Sequence, residues 1–274
     1  MFRYLFYLSL PVFFISVPVT AATLIEIDSV EGGRTRVITD GSKARIDMSQ
    51  DQGYVLIDYK TQSMHVVLPG EKQIMDMSGE MPAMAGKPPA DVKVTVVPAG
   101  KGPEIAGYST NKFTLKANGQ NCGTIYGSLD AMKGSGIGKL LETMQKFEEK
   151  QRASMGSYAD MMGPCERARM GMSDQAKTVG VPMREVDKKG NVDNEIIRID
   201  TKAPLPANAF SLPGGYKTIV VADQMKQAKK AMTEMNKHQP EMEAMMKQMQ
   251  QSGNIPPEAM EQMKRLQEMM KQQP

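Results

Sequence analysis

From residue 23 to 127, apolar and polar residues alternate in short runs. Residues 43–48 show the pattern best. Ala44, Ile46 and Met48 fall on one side, and Lys43, Arg45 and Asp47 fall on the other. A period of two with one apolar side predicts a strand in a sheet that is wet on one face. Similar runs rich in Val, Ile, Thr and Tyr predict strands over 24–28, 34–39, 54–58, 63–68 and 73–77. Val92, Val94 and Val96 form a further alternating side, and 108–115 and 124–126 follow. Glu31-Gly32-Gly33, Asp40-Gly41 and Lys60-Thr61 supply the turns. Short links between successive strands predict an antiparallel meander. Residues 78–90, rich in Gly, Pro and Met, predict a loop.

The period then changes. Across 129–172, Leu140, Leu141, Met144 and Phe147 recur at helical spacing, which predicts a helical insert. Strands return at 182–186 and 194–200. Beyond Tyr216 there is no Phe, Tyr or Trp. Met225, Ala228, Met232, Met235, Met242, Met246 and Met249 fall at alternating steps of three and four, with Gln239 in the gap. That is a heptad seam with Met at most core positions. Gly253 to Pro257 breaks it, and Met260, Met263, Leu266, Met269 and Met270 continue it. The tail, 221–274, reads as a helical hairpin, a broken helix or a partly disordered segment. The expected class is α+β: a curved antiparallel sheet over 23–220, a helical insert over 129–172 and a Met-rich helical extension.

The first residues set the expected compartment. Arg3 precedes an apolar run over 4–17, Pro18 ends it, and Val19-Thr20-Ala21-Ala22 offers small residues for cleavage. This predicts a secretory signal peptide over 1–22, a mature chain starting at Ala22 or Thr23, and a periplasmic protein with no membrane span after processing. No Cys follows the cleavage site, so no lipid anchor is expected. In an oxidising compartment, Cys122 and Cys165 read as a disulfide that ties the insert to the sheet. Charge is close to balanced, with 34 Lys and Arg against 31 Asp and Glu, and no basic block; nucleic acid is not an expected partner.

An ordered set of motifs adds a resemblance. Gly41-Ser-Lys-Ala-Arg-Ile-Asp47 leads into Ile57-Asp58-Tyr-Lys-Thr-Gln-Ser-Met64. Leu68-Pro-Gly-Glu-Lys-Gln-Ile-Met75, Ile105-Ala-Gly-Tyr108 and Phe210-Ser-Leu-Pro-Gly-Gly-Tyr216 complete it. Over residues 23–220 the chain resembles a bacterial secreted family known as a domain of unknown function (number 4412), whose pattern is similar to that of periplasmic lipoprotein carriers. The resemblance implies a half-barrel with helices plugging its concave face, and an apolar ligand. It implies no catalytic residues. The 129–172 insert and the tail are departures from it.

Methionine, 26 of 274 residues, carries the candidate chemistry. Met75, Met77, Met81 and Met84 lie within ten residues. The tail adds Met-x-x-Met pairs (Met232/Met235, Met242/Met245, Met246/Met249), with His238 between Met235 and Met242. Thioethers select Cu(I), and residues three apart on a helix share a face, so these sets read as Cu(I) ligands. Met also fills helix seams and adaptable binding surfaces. On that reading Met225, Met232, Met235, Met242, Met246 and Met249 form a surface for an envelope protein or for a second copy of the chain. Catalysis finds no signature. There is no Gly-x-Ser-x-Gly and no His-Glu-x-x-His, and Lys133-Gly-Ser-Gly-Ile-Gly-Lys139 fails the phosphate-loop spacing and reads as a hinge. His65, Asp47 and Asp58 read as ordinary strand residues. The expected function is non-enzymatic binding of an apolar ligand or partner segment on the curved sheet. Cu(I) handling and oligomerisation through the tail are the alternatives.

Overall fold

A computed structural model describes residues 21–30, 32–49, 52–80, 91–155, 162–170, 172–231, 233–234 and 237. Its centre is a twelve-stranded sheet in the order β12-β6-β5-β4-β3-β2-β1-β11-β10-β9-β8-β7. Strands β1 (Ala21–Ser29), β2 (Gly33–Thr39), β3 (Lys43–Asp47), β4 (Tyr54–Asp58), β5 (Ser63–Leu68) and β6 (Gln73–Asp76) form one meander. Strands β7 (Val94–Lys101), β8 (Asn111–Ala117), β9 (Gln120–Ser128), β10 (Val181–Val186) and β11 (Val192–Pro204) form a second. The antiparallel β1–β11 pair joins the two. The sheet is curved and unclosed, an α+β half-barrel. Register shifts within the β1–β11, β9–β10, β10–β11, β7–β8 and β8–β9 pairs give a physical source for the curvature, since bulges bend a strand and raise its twist.

Pairing fixes which residues share a face. Ile25, Val37, Ile46, Val55 and Val66 lie opposite one another along one row, and Ala44, Ile57 and Met64 along the next. This inner face receives α1 (Leu129–Gly134) and α2 (Gly138–Met155) through Ala131, Ile137, Leu140, Leu141, Met144 and Phe147. Ile25 is 1% exposed, and Ala44 and Met183 are fully buried. The Ser128 hydroxyl caps α1 by accepting from the Ala131 amide. That satisfies one of the orphan donors of a helix start. Ser135 to Ile137 then separates α1 from α2, so the Gly-rich stretch at 133–139 is a break between helices, with Gly136 at φ +68.

α3 (Pro164–Met170) and α4 (Ala176–Val179) cover a second cluster at β8 and β9. Ala168 and Val179 pack there with Phe113, Leu115 and Ile125. Cys122 and Cys165 are bonded to each other, with Cα atoms 5.2 Å apart. Arg169 on α3 pairs with Asp193 and donates to the Cys122 carbonyl oxygen.

The insert holds separate helices, with Gly136 between α1 and α2 and Pro164 at the start of α3. Three details differ from the sequence reading. Cys122 lies inside β9 and not ahead of it. Tyr108 precedes its strand: Ile105 and Tyr108 close a tight turn through Ala106 and Gly107, both at positive φ, which buries Ile105. A further strand, β12 (Lys217–Val220), pairs in parallel with β6. Residues 221–231 form α5, the described start of the tail.

Turn chemistry makes one testable point. The Asp40 carboxylate accepts from the Ser42 and Lys43 amides and the Ser42 hydroxyl, each at 2.8 Å. Burial would raise its pKa, but these hydrogen bonds outweigh it and hold the group below its ordinary value. A depressed folded pKa contributes stability above the unfolded value, and that stability is lost as pH falls through the folded one. Asp40→Ala is expected to cost about 1 kcal/mol at neutral pH. The gap to the wild type should start to narrow near the unfolded carboxylate value of about 3.9 and close only below the folded value, which lies lower. Thermal unfolding of both chains at neutral and acid pH measures this; an equal gap at both contradicts it.

Candidate apolar binding site

β5 and β6 continue their pairing one step past the strand end. The Met77 amide donates to the Met64 carbonyl oxygen, so the two residues lie opposite each other on the inner face. α2 crosses above them. Met64, Met77, Gly79, Met144, Phe147, Glu148 and Lys150 line a mainly apolar pocket of about 130 Å³. The walls thus come from two strand ends and one helix. Glu148 and Lys150 supply charge at the lining, while three thioethers and a phenyl ring supply its apolar surface. A dry cavity near this size accepts an apolar group such as a benzene ring. An acyl end or an apolar side chain fits the same description.

The outer face differs in chemistry. Arg198, Glu26, Arg36, Asp47 and Tyr54 stand in one row across five strands. Arg198 lies 4.0 Å from Glu26, and Arg36 lies 3.9 Å from Asp47. Arg45 donates to Asp47 at 2.6 Å and stacks 3.8 Å over the Tyr54 ring. Glu26, Arg36, Arg45, Asp47 and Tyr54 border a cleft of about 900 Å³ with Arg34, Met48, Ser49, Gly53 and Pro69. Acids and bases alternate along the row and satisfy one another. Each such cross-strand pair contributes roughly 0.2–1 kcal/mol to the sheet. His65 also sits on this face, 3.8 Å from Asp76. Burial would raise the Asp76 pKa, but hydrogen bonds from Ser78 and the nearby imidazole hold it below its ordinary value.

The residues singled out in the sequence are placed as follows. Met77 is in the pocket. Met75 is on β6, paired with Val66 and Ile219, and does not line the pocket. Met225 is half-buried on α5. Met81, Met84, Met232, Met235, His238, Met242, Met245, Met246 and Met249 lie outside the described residues. Met64 and Met144 were missed as site residues. Met64 is the lone Met of β5 and Met144 is eleven residues from the next Met of α2, and only strand pairing and the helix crossing bring them to Met77. Among the described residues, no group of three or more His, Cys, Asp or Glu side chains is gathered as a metal site. No described helix is long and apolar enough to cross a membrane.

A family model described as "Domain of unknown function (DUF4412)" matches residues 27–216. The chain belongs to this family. The matched span runs from within β1 to the residue before β12, so it contains the pocket residues of β5, of α2 and of the Met77–Gly79 segment. The DUF4412 chain is also similar to a solved structure described as an uncharacterized conserved protein from Thermus thermophilus. Identity is 11%, coverage is 74% of this chain and 91% of that one, and the TM-score is 0.39. No curated protein matches it.

Proposed function

We propose that this protein is a non-enzymatic periplasmic binding protein that holds an apolar group, from a lipid-like ligand or a partner segment, between α2 and the β5–β6 end of the sheet. The observation that carries the reading is the apolar pocket under α2. Its lining is flexible at the thioethers, which suits apolar groups of varied shape. The leader-like residues 1–22 support the location. The likeness in motif order to periplasmic lipoprotein carriers supports an apolar ligand. The test is uptake of a fluorescent twelve-carbon fatty acid by the full chain. Met144→Asp places a carboxylate against Met64, Met77 and Phe147, and is expected to weaken uptake at least tenfold, about 1.4 kcal/mol. Uptake that is absent in the wild type, or unchanged in the variant, rejects the reading.

A second reading is favoured by one specific observation. Met64, Met77 and Met144 bring three thioethers from separate elements to one pocket, a donor set suited to Cu(I). It supplies Met77 with partners other than those adjacent in sequence. Competition against a chromogenic Cu(I) chelator separates the readings. Metal binding that survives Met64→Leu, Met77→Leu and Met144→Leu together removes this site from any copper role.

A further inference from the structure

We propose that the pocket is also an oxidation site: hydrogen peroxide converts Met64, Met77 and Met144 to sulfoxides, and the site then gives up its apolar group. This rests on the binding reading above and adds its regulation. Met64, Met77 and Met144 supply the apolar lining together with Phe147, and each is half-buried. Residues placed this way are within reach of an oxidant little larger than water. Met183, fully buried in the inner-face cluster, is not.

The step needs no group beyond the oxidant. A sulfur lone pair attacks one peroxide oxygen, an S–O bond forms and the O–O bond breaks. The second oxygen leaves as hydroxide and takes the proton of the first, which gives the sulfoxide and one water. The sulfur loses two electrons and the peroxide gains them. A flexible apolar side chain thereby becomes a polar one, and sulfoxide reductases return it to the thioether.

The surroundings decide the consequence. The Met77 amide already donates to the Met64 carbonyl oxygen, and the Met64 amide donates to the Ser78 hydroxyl at 3.1 Å. Neither amide is left to serve a sulfoxide oxygen. Lys150, exposed and 6.0 Å from the Phe147 ring centre, is the charged donor of the lining. A sulfoxide oxygen therefore draws water or this ammonium into the space that an apolar group fills. Unsatisfied polar atoms in that space are expected to weaken apolar uptake about tenfold or more. Leu140 and Leu141 keep α2 on the inner face, so the fold outlasts the change.

The test treats the full chain with hydrogen peroxide and follows each methionine by peptide mass spectrometry. Met64, Met77 and Met144 are expected to gain one oxygen each before Met183 does. Saturating dodecanoate should slow the reaction at these three and leave Met48, in the outer cleft, unprotected. Uptake of the fluorescent fatty acid should fall about tenfold, with the far-ultraviolet circular dichroism unchanged. A chain with Met64→Leu, Met77→Leu and Met144→Leu together is compared with its own untreated sample, and peroxide should not lower its uptake, which separates the pocket from methionines elsewhere in the chain. An equal loss in both chains overturns the proposal. So does oxidation of the three residues at the same rate with and without dodecanoate, a result read on the wild type alone. Full oxidation of the three with no loss of uptake also overturns it and leaves the binding reading standing. No uptake by the untreated wild type rejects the binding reading, and the switch with it.

Discussion

Removing the Cys122–Cys165 bond is expected to lower stability by about 4 kcal/mol, from the closure entropy of a loop with a sequence separation of 43. The bond joins β9 to α3, and the closed loop contains α1 and α2, the helices that fill the inner face. α3 is a helix of seven residues, too short to persist without tertiary support. Ala168 in the second core cluster and the Arg169 contacts to Asp193 and the Cys122 carbonyl also attach it. Cys122→Ala with Cys165→Ala should therefore unfold at lower denaturant, and reduction of the wild type should have the same effect. Chemical denaturation of the three samples measures it. A double variant as stable as the oxidised wild type contradicts the account.

The second large effect is expected at Gly127 on β9. A Cβ there would lie 2.1 Å from the Val179 carbonyl oxygen and 2.4 Å from the Val179 Cγ1. The nearest atom is backbone, so no rotamer change relieves the clash. Val179 is buried at the end of α4, and the chain turns directly from it through Gly180 into β10. Gly127→Val must displace either β9 or the α4–β10 turn. Overpacking of this kind typically costs about 1–3 kcal/mol, and the backbone contact puts this site at about 3 kcal/mol or more. A thermal midpoint equal to that of the wild type would show that β9 and α4 are not held this close.

Both effects depend on contacts that the sequence only partly reveals. Strands β2 to β5 were legible because one face is apolar and the other charged; Ala44 and Ile46 against Lys43, Arg45 and Asp47 leave no doubt about the period. The disulfide was legible from two Cys in a chain with a leader-like start. β12 was not, because four residues carry too little alternation, and the strand is defined by parallel pairing to a distant β6. The break at Gly136 was legible as a hinge. The division of the core into two clusters was not, because bulges and helix packing decide it.

The pocket was the least legible feature. Methionines adjacent in sequence drew attention to 75–84 and to the tail, yet the described pocket combines Met77 with Met64 and Met144. Met64 reads as an ordinary inner-face strand residue, and Met144 as one position of a helical stripe. Their meeting follows from the β5–β6 register and from α2 lying on the inner face, neither of which is a local property of the chain.

The most direct measurement is a methyl NMR titration of the full chain, labelled at its methionine methyl groups, with dodecanoate. Resonances are assigned by single Met→Leu changes. The account predicts that Met64, Met77 and Met144 shift together and saturate at one ligand concentration. Met48 in the outer cleft and the buried Met183 should stay in place. Shifts confined to Met48, or no shift at any of the three pocket methionines, would contradict the claim that the space beneath α2 is a binding site.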